Sequence, residues 1–240
     1  GIFIERNYIK ALEWYEKAAK NNPEAQEDTG RYYLEGIGVK KDIDESLKWY
    51  KKAAQNGKMT AQHILGWILH HKEEPNYTEA IKWIEQAANA GYPPSEYAMS
   101  VFYSSGRGVQ RNDNKYIEWL EKSAAHEYEQ AQYEYGIEYY NGNITGRDIE
   151  KAVDWIRKAA LNNHMLAQLW LGNAYQNGKD VPVDIRKALY WYEKAADNGS
   201  IAGLVKAGEI FGTTNHFELR NVQKQSGLYL GAIEKYEQYK

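Results

Sequence analysis

The histidines are the residues of this sequence best suited to acid–base or metal chemistry. His63 and His70 are seven residues apart, and His71, Glu73 and Glu74 follow closely. A metal-binding helix instead places two histidines four residues apart, so that both face one ion. Because no third and fourth ligand stands at a useful spacing, we predict that this group binds no structural metal.

Other signatures of catalysis are missing from the sequence. The chain has no cysteine, which excludes disulfides, cysteine-ligated zinc, iron–sulfur clusters and thiol nucleophiles. It contains no G-x-S-x-G nucleophile motif, phosphate-binding glycine loop or dinucleotide fingerprint. We therefore expect a protein without cofactors that is not an enzyme.

Charge and hydropathy argue against non-specific binding of nucleic acid and against a membrane-spanning helix. The chain carries 30 basic and 33 acidic residues, whereas proteins that bind nucleic acid non-specifically need a basic surplus. No apolar run approaches the roughly 18 residues of a membrane helix. The aromatic residues are 21 tyrosines, 8 tryptophans and only 4 phenylalanines, a balance that suits surfaces that meet partners.

A tryptophan that recurs at a nearly constant interval reveals the elements that position these side chains. Segments such as ALEWYEKAA, starting at Ala11, recur at intervals of 35, 34, 36, 36 and 36 residues. The six tryptophans are Trp14, Trp49, Trp83, Trp119, Trp155 and Trp191. Apolar residues around each one fall on one helical face, so we predict that these indoles are largely buried between helices.

A second helix alternates with the tryptophan helix. Small and large residues recur at i, i+4, i+5 and i+8, again one helical face. We name this second helix A and the tryptophan helix B. Glycines such as Gly36 and Gly178 are expected to end helix A, and Asp42, Asp148 and Asp184 to begin helix B. The pattern predicts an all-α solenoid of helix pairs with almost no strand.

These motifs resemble those of the SEL-one-like repeat (SLR) family, relatives of the tetratricopeptide repeat. The family pattern is roughly A-x3-LG-x2-Y-x2-G, a loop, and A-x2-WY-x-KAA-x2-G over about 36 residues. The second repeat departs from this pattern, because its loop is HHKEEPN, whereas other loops contain GIGV or GRGV. The resemblance implies a right-handed α-solenoid of helix-turn-helix repeats of about 36 residues, with helix A on the concave side.

The predicted domain organisation is a repeat array over residues 1–212, followed by a capping segment. The array begins in mid-repeat with helix B, continues with five A/B pairs and ends with a final helix A. Residues 213–240 are expected to cap it with one helix, from Leu228 to Tyr239, or alternatively to dock a partner. Gly1 precedes Trp14 by 13 residues, as Gly36 precedes Trp49, so we expect a fragment or a processed product. The compartment, periplasmic or secretory or cytoplasmic, therefore stays open.

The candidate binding surface lies on the A helices, at positions that point away from each helix's own packing face. These positions are charged in the first repeat but aromatic or aliphatic in the middle repeats. The outward-facing positions of the B helices are charged instead. The candidate residues are Trp67, Tyr97, Val101, Tyr133, Ile137, Tyr140 and Leu169, with His63 and His70 beside them. A strip of this composition is typical of an interface core. Alternatively, Tyr97, Tyr133 and Leu169 are partly buried against a neighbouring helix A.

The resemblance to SLR proteins implies a non-enzymatic scaffold that binds a protein or peptide on its concave face. A specific version is a bacterial immunity or regulatory protein that blocks a toxin or secreted enzyme. The alternative is a cell-wall or glycan-binding protein, or a hydrolase-like one as suggested for some cysteine-rich SLR proteins. The missing cysteines count against the hydrolase, while exposed tryptophan and tyrosine would also stack on sugars. We expect a monomer.

Overall fold

Twelve α-helices form the part of the chain that the computed structural model describes, residues 7–212, and no strand occurs there. The helices are α1 (Tyr8–Ala18), α2 (Pro23–Glu35), α3 (Ile43–Gln55), α4 (Met59–His71), α5 (Tyr77–Asn89), α6 (Pro93–Ser105), α7 (Asp113–Ala125), α8 (Glu129–Asn141), α9 (Ile149–Leu161), α10 (Met165–Asn177), α11 (Ile185–Asp197) and α12 (Ile201–Gly212). Gly1 and the predicted capping segment 213–240 lie outside the described residues. The all-α prediction is confirmed.

The described residues form two compact units that divide between Trp119 and Leu120, within α7. In the first unit, each helix from α1 to α6 packs against the next one along the chain. In the second unit, the same holds from α8 to α12. Odd-numbered helices are the tryptophan helices B, and even-numbered helices are the helices A. No helix among those described combines the length and apolar character that a membrane crossing requires.

The ends of the helices follow the sequence signals. The side chains of Asp42, Asp148 and Asp184 each accept a hydrogen bond from the backbone N–H three residues later, at 2.9, 3.1 and 3.0 Å. The glycines that end four of the A helices adopt the left-handed conformation, with φ between 67° and 75°: Gly36, Gly106, Gly142 and Gly178. Helix α4 has no such glycine and ends at Lys72 in an extended conformation. Both kinds of cap were predicted and are confirmed.

Burial of the repeated tryptophans agrees with the sequence prediction in the middle of the chain. Trp83, Trp119 and Trp191 are buried. Trp49 and Trp155 are half-buried, and a lysine covers each of these rings. The Nζ atoms of Lys52 and Lys158 lie 3.8 Å from the respective ring centroids. These lysines of the B helices therefore cover aromatic surface in addition to carrying charge.

Trp14 is an exception, and the prediction that it is buried is wrong. Its side chain is 68% exposed, and the Nζ of Lys17 lies 4.7 Å from its ring centroid. Trp14 belongs to α1, the first described helix, and no described helix A precedes α1 along the chain to cover the indole. The same motif position is thus buried or exposed according to the neighbouring helices present.

A ladder of side-chain amides links successive repeats. In three A helices a buried glutamine donates from Nε2 to a backbone carbonyl of the preceding helix B, and its Oε1 accepts from an asparagine at the end of the following helix B. The donor distances are 2.8 Å for Gln26 to Ala19, 3.2 Å for Gln132 to Ala124 and 3.0 Å for Gln168 to Ala160. The acceptor distances are 3.0 Å from Asn56 to Gln26, 3.0 Å from Asn162 to Gln132 and 2.9 Å from Asn198 to Gln168. These glutamines are buried because each makes hydrogen bonds to both neighbouring helices.

Candidate functional site on the A helices

Trp67 is the most exposed of the candidate residues. It lies on α4, its side chain is 51% exposed, and its indole stacks on the imidazole of His71 with 4.4 Å between ring centroids. The stacking partner is one helical turn further along the same helix, so it covers one face of the indole and leaves the rest in water. Val101, on α6 of the same unit, is 40% exposed.

His70 lies in an aromatic cluster beside Trp67. Its ring meets those of Tyr77 and Phe102 at centroid distances of 5.2 and 5.3 Å. Its Nδ1 lies 3.3 Å from the Nδ1 of His71, which is itself 2.9 Å from the carbonyl oxygen of Trp67. Burial, and after it the electrostatic effects of His71 and Arg107, lower the pKa of His70, so its neutral form is favoured.

The cluster around His70 offers few ligands for a metal ion. Within residues 7–212, no group of three or more histidine, aspartate or glutamate side chains is placed to hold an ion. His71 Nδ1 is already engaged by the Trp67 carbonyl, and Arg107 adds positive charge. The prediction that His63, His70 and His71 bind no structural metal stays a prediction, which a chelator-insensitive melting temperature would support.

His63 serves to pack α4 against α6. Its Nδ1 lies 2.9 Å from the hydroxyl oxygen of Ser95, and its ring meets the Tyr92 ring edge-on at 5.6 Å. Burial lowers the pKa of His63, which favours the neutral imidazole. Tyr97, also on α6, is half-buried. His63 is therefore a packing residue that borders the exposed Trp67 helix face.

Three candidates of the second unit make packing contacts. Tyr133, Ile137 and Leu169 are half-buried against the core cluster that includes Leu171. Tyr133 stacks on His164 with 4.6 Å between centroids, and burial raises the pKa of its phenol. The interpretation of Tyr133 and Leu169 as packing residues, left open by the sequence, accounts for these contacts.

His164 joins α8 to α10 in its neutral form. Its Nδ1 accepts a hydrogen bond from the backbone N–H of Ala167 at 3.2 Å, which caps α10. Its Nε2 lies 2.9 Å from the side-chain oxygen of Gln130 and donates to it. Protonation at Nδ1 would break the cap. Burial lowers the pKa of His164, against a smaller opposite effect of Glu129.

Acidification is expected to destabilise the fold through His164. Because its folded-state pKa is lowered, the unfolded chain binds the proton more readily as the pH falls below about 6.5. The stability contribution is complete above that value and is lost as the pH decreases toward the lower folded-state pKa. His164→Asn keeps an acceptor for the Ala167 N–H but does not titrate.

We therefore expect a smaller loss of melting temperature in His164→Asn than in the wild type between about pH 7.5 and pH 5.5. Thermal unfolding followed by circular dichroism at both pH values measures it. The lowered pKa values of His63 and His70 affect both proteins with the same sign, so the difference between the two proteins isolates His164. Equal losses in the two proteins would contradict the role of His164.

Tyr140, at the end of α8, has neighbours that the sequence analysis missed. Its ring meets that of Trp170 at 5.6 Å and nearly perpendicular, at 86°. The Arg147 guanidinium carbon and the Lys179 Nζ lie 5.9 and 5.6 Å from its centroid. Trp170 could have been noticed, because the other A helices hold Asp28, Ile64, Ala98 and Glu134 at its repeat position. The convergence of Arg147 and Lys179 needs the loop conformations and had no sequence signal.

Several of the candidate residues thus fall into three local groups. In the first unit, Trp67 and His70 are brought together through His71. In the second, Tyr133 and Leu169 join one cluster, and Tyr140 forms another with Trp170. A continuous strip through all the candidates stays a prediction.

Comparison with known proteins identifies the repeat. A family model described as Sel1 repeat matches residues 1–22, 23–58, 60–92, 93–128, 129–164 and 166–200. No curated protein matches the chain significantly. Among solved structures, a Sel1 repeat protein from Oxalobacter formigenes is 30% identical, with a TM-score of 0.77, over 94% of this chain and 99% of that one.

Two further solved structures are similar. A protective antigen of uropathogenic Escherichia coli strains, which displays an SLR fold, is 31% identical with a TM-score of 0.71. The match covers 97% of this chain but 52% of that one, so the chain spans about half the length of the antigen. An immunity protein from Pseudomonas aeruginosa is 18% identical with a TM-score of 0.56, over 81% of this chain and 76% of that one. That last likeness concerns the fold alone.

Proposed function

The chain belongs to the Sel1 repeat family, an all-α helical repeat solenoid whose members are generally protein-interaction scaffolds, and on that premise we propose that it is a non-enzymatic scaffold that binds a protein or peptide partner on its A helices. The fold of the family is typically non-catalytic. The partner-binding residues would include Trp67 and Val101 in the first unit and Tyr140 in the second.

The exposure of Trp67 is the observation that carries this proposal. Trp14 is exposed because it lies on the first described helix, but Trp67 lies on α4, between packed helices α3 and α5. Missing neighbours therefore do not account for the exposure of Trp67. A half-exposed indole leaves apolar area in water, and burial of such area stabilises a complex.

The neighbours of Trp67 make it a suitable anchor. His71 stacks on one face and fixes the plane of the indole before a partner arrives. A side chain that is already held in place loses little rotational freedom on binding, so more of the burial energy appears as affinity. Tryptophan is enriched among the few residues that carry most of the binding energy at interfaces.

Replacing Trp67 by alanine is expected to weaken partner binding by more than tenfold, about 1.4 kcal/mol or more. Affinity capture with the wild-type chain followed by mass spectrometry identifies the partner, and calorimetry then gives the dissociation constant of each variant. The melting temperature should change little, because the indole is half in water.

Trp14→Ala is the matched control, since it removes the same side chain from an exposed position on a helix B. It should leave the dissociation constant unchanged. If Trp14→Ala weakened binding as much as Trp67→Ala, or if Trp67→Ala had no effect, the assignment of Trp67 and its surroundings as the binding surface would have to be abandoned.

A narrower form of the proposal is that the partner is a toxin or a secreted enzyme that the chain blocks. The immunity protein from Pseudomonas aeruginosa has the same fold, which makes this role compatible with the architecture. The identity of the captured protein, and the loss of its activity when the wild-type chain but not Trp67→Ala is added, would establish it.

A further inference from the structure

A small cavity opens in the second unit where the end of α8 meets α10 and the loop after it. Its volume is about 180 Å³, enough for about one side chain. The residues that line it include Tyr140, Trp170, Asn173, Asn177, Lys179 and Asp180. Two aromatic rings thus form perpendicular walls, and two amides and two charged groups provide hydrogen-bonding groups.

Two cations lie near the Tyr140 ring: Lys179, which lines the cavity, and Arg147, which lies 5.9 Å from the ring centroid outside that lining. The Nζ of Lys179 lies 5.6 Å from the Tyr140 ring centroid, and the Tyr140 phenol, more than the adjacent Asp180, raises the pKa of Lys179. Arg147 lies on the same tyrosine and acts in the opposite direction on Lys179, as a neighbouring like charge does. Within the described residues, neither cation forms a salt bridge with a carboxylate. An anion bound beside Lys179 would offset this repulsion.

Two other lysines of the same unit show the usual arrangement. Lys151 and Lys187 also lie near tyrosine rings, at 5.3 Å from the centroids of Tyr139 and Tyr175. Each is paired with a carboxylate of its own helix N-cap, Asp148 or Asp184, at 3.4 Å. Lys179 and Arg147 keep the aromatic contact but lack that carboxylate, so they are available to a ligand.

Asp180 departs from the loop template of the other repeats. In the loops after α2 and α6, the same position is Gly38 or Gly108, with φ of 69° and 73°. Asp180 adopts φ of 72°, a left-handed conformation that is strained for a residue with a side chain. Such strain is concentrated at binding sites. The carboxylate of Asp180 also limits the net charge of Arg147, Lys179 and Asp180 to one positive charge.

We propose that this cavity binds one carboxylate of a partner peptide, either the free C terminus or a glutamate or aspartate side chain, with an adjacent apolar side chain against Trp170. Lys179 would pair with the carboxylate, the amides of Asn173 and Asn177 would donate to it, and Arg147 beside Tyr140 would add positive charge from outside the lining. The Tyr192 hydroxyl, 2.9 Å from Asn173 Oδ1, holds that amide in position. A single net positive charge suits a monoanion better than a phosphate dianion. This inference rests on the proposed function and names the chemistry of its partner.

The test uses the full chain and a fluorescein-labelled heptapeptide that ends in leucine and glutamate with a free carboxyl terminus. Fluorescence anisotropy gives its dissociation constant and those of three further peptides. One is amidated at the C terminus, one has glutamine in place of glutamate, and one carries both changes. We expect the doubly neutral peptide to bind at least tenfold more weakly. Amidation and the glutamine change separately then show which carboxylate occupies the cavity.

The double variant Arg147→Gln and Lys179→Gln should weaken binding of the free-acid peptide at least tenfold. The matched control is Lys151→Gln with Lys187→Gln, which removes two lysines that also lie near tyrosines in the same unit and should change binding less than about twofold. All four side chains are exposed, and circular dichroism will verify that both variants are folded.

Three results would overturn the proposal. They are equal binding of the neutral and free-acid peptides, equal losses in the two double variants, and no saturation by the free-acid peptide up to about 1 mM. Tighter binding of a phosphoserine version would also overturn it in favour of a phosphopeptide site. If the peptide does not bind at the cavity but Trp67→Ala still weakens partner binding, the scaffold function stands. If the peptide binds at the cavity but Trp67→Ala does not weaken partner binding, only the role of the Trp67 surface is refuted.

Discussion

Replacing Trp119 by alanine is expected to lower the free energy of unfolding by about 3–5 kcal/mol. Trp119 is 9% exposed and packs in a core cluster with Ile81, Ile84, Met99 and Phe102. Removing the indole therefore leaves a large cavity and loses the burial of its apolar area. Urea denaturation followed by circular dichroism measures the change.

Trp14→Ala supplies the control for this change at the same position of the repeat motif. Because the Trp14 side chain is 68% exposed, its removal should cost no more than about 0.5 kcal/mol. Similar losses in the two variants would contradict the burial that distinguishes the two tryptophans.

The substitution Gly66→Ala is expected to destabilise the fold by about 1–3 kcal/mol. Gly66 lies in the middle of α4, where alanine would otherwise improve helix propensity by about 1 kcal/mol. An added Cβ would clash with Cγ1 of Ile84 and would lie 2.8 Å from the carbonyl oxygen of Ala80. The backbone contact cannot be relieved by a change of rotamer, so α4 and α5 must move apart. Thermal and urea unfolding both report it.

Two variants separate this clash from a general effect of replacing glycine. Gly57→Asn should change stability by less than about 1 kcal/mol, because nothing lies within 4 Å of an added Cβ and asparagine tolerates its φ of 80°. Ile84→Ala combined with Gly66→Ala should cost less than the sum of the single changes, since the side-chain part of the clash is gone. A fully additive pair would mean that α4 and α5 are not in this close contact.

Local signals in the sequence were sufficient for the helices. Asp42 was expected to begin a helix and caps α3, and Gly36 was expected to end one and adopts the left-handed conformation. These outcomes depend on a few neighbouring residues, which a sequence contains. Burial of Trp14 depends on a neighbouring helix, and the repeat pattern alone could not supply that information.

The candidate site was harder to predict because it depends on contacts between helices. Angular position on helix A separated Trp67 from the core but placed Tyr133 on the same surface, although Tyr133 stacks on His164 of the next repeat. The cavity beside Tyr140 uses loop residues Lys179 and Asp180, whose placement depends on the left-handed turn after α10. Helical periodicity contains no information about such loops.

The amide ladder constrains which insertions and deletions of residues the repeat array can accommodate. Each glutamine–asparagine bond joins residues 30 positions apart, while the same glutamine reaches back to the preceding helix B. Duplication or deletion of one entire repeat keeps the 30-residue spacing of each existing pair, whereas an insertion or deletion between a glutamine and its asparagine changes that spacing. The second repeat, which lies in the first compact unit, shows a different length. Its tryptophan interval is 34 residues, and Ala90 stands where the partner of Gln62 would be. Whole repeats can thus be gained or lost while the paired glutamines and asparagines keep their hydrogen bonds.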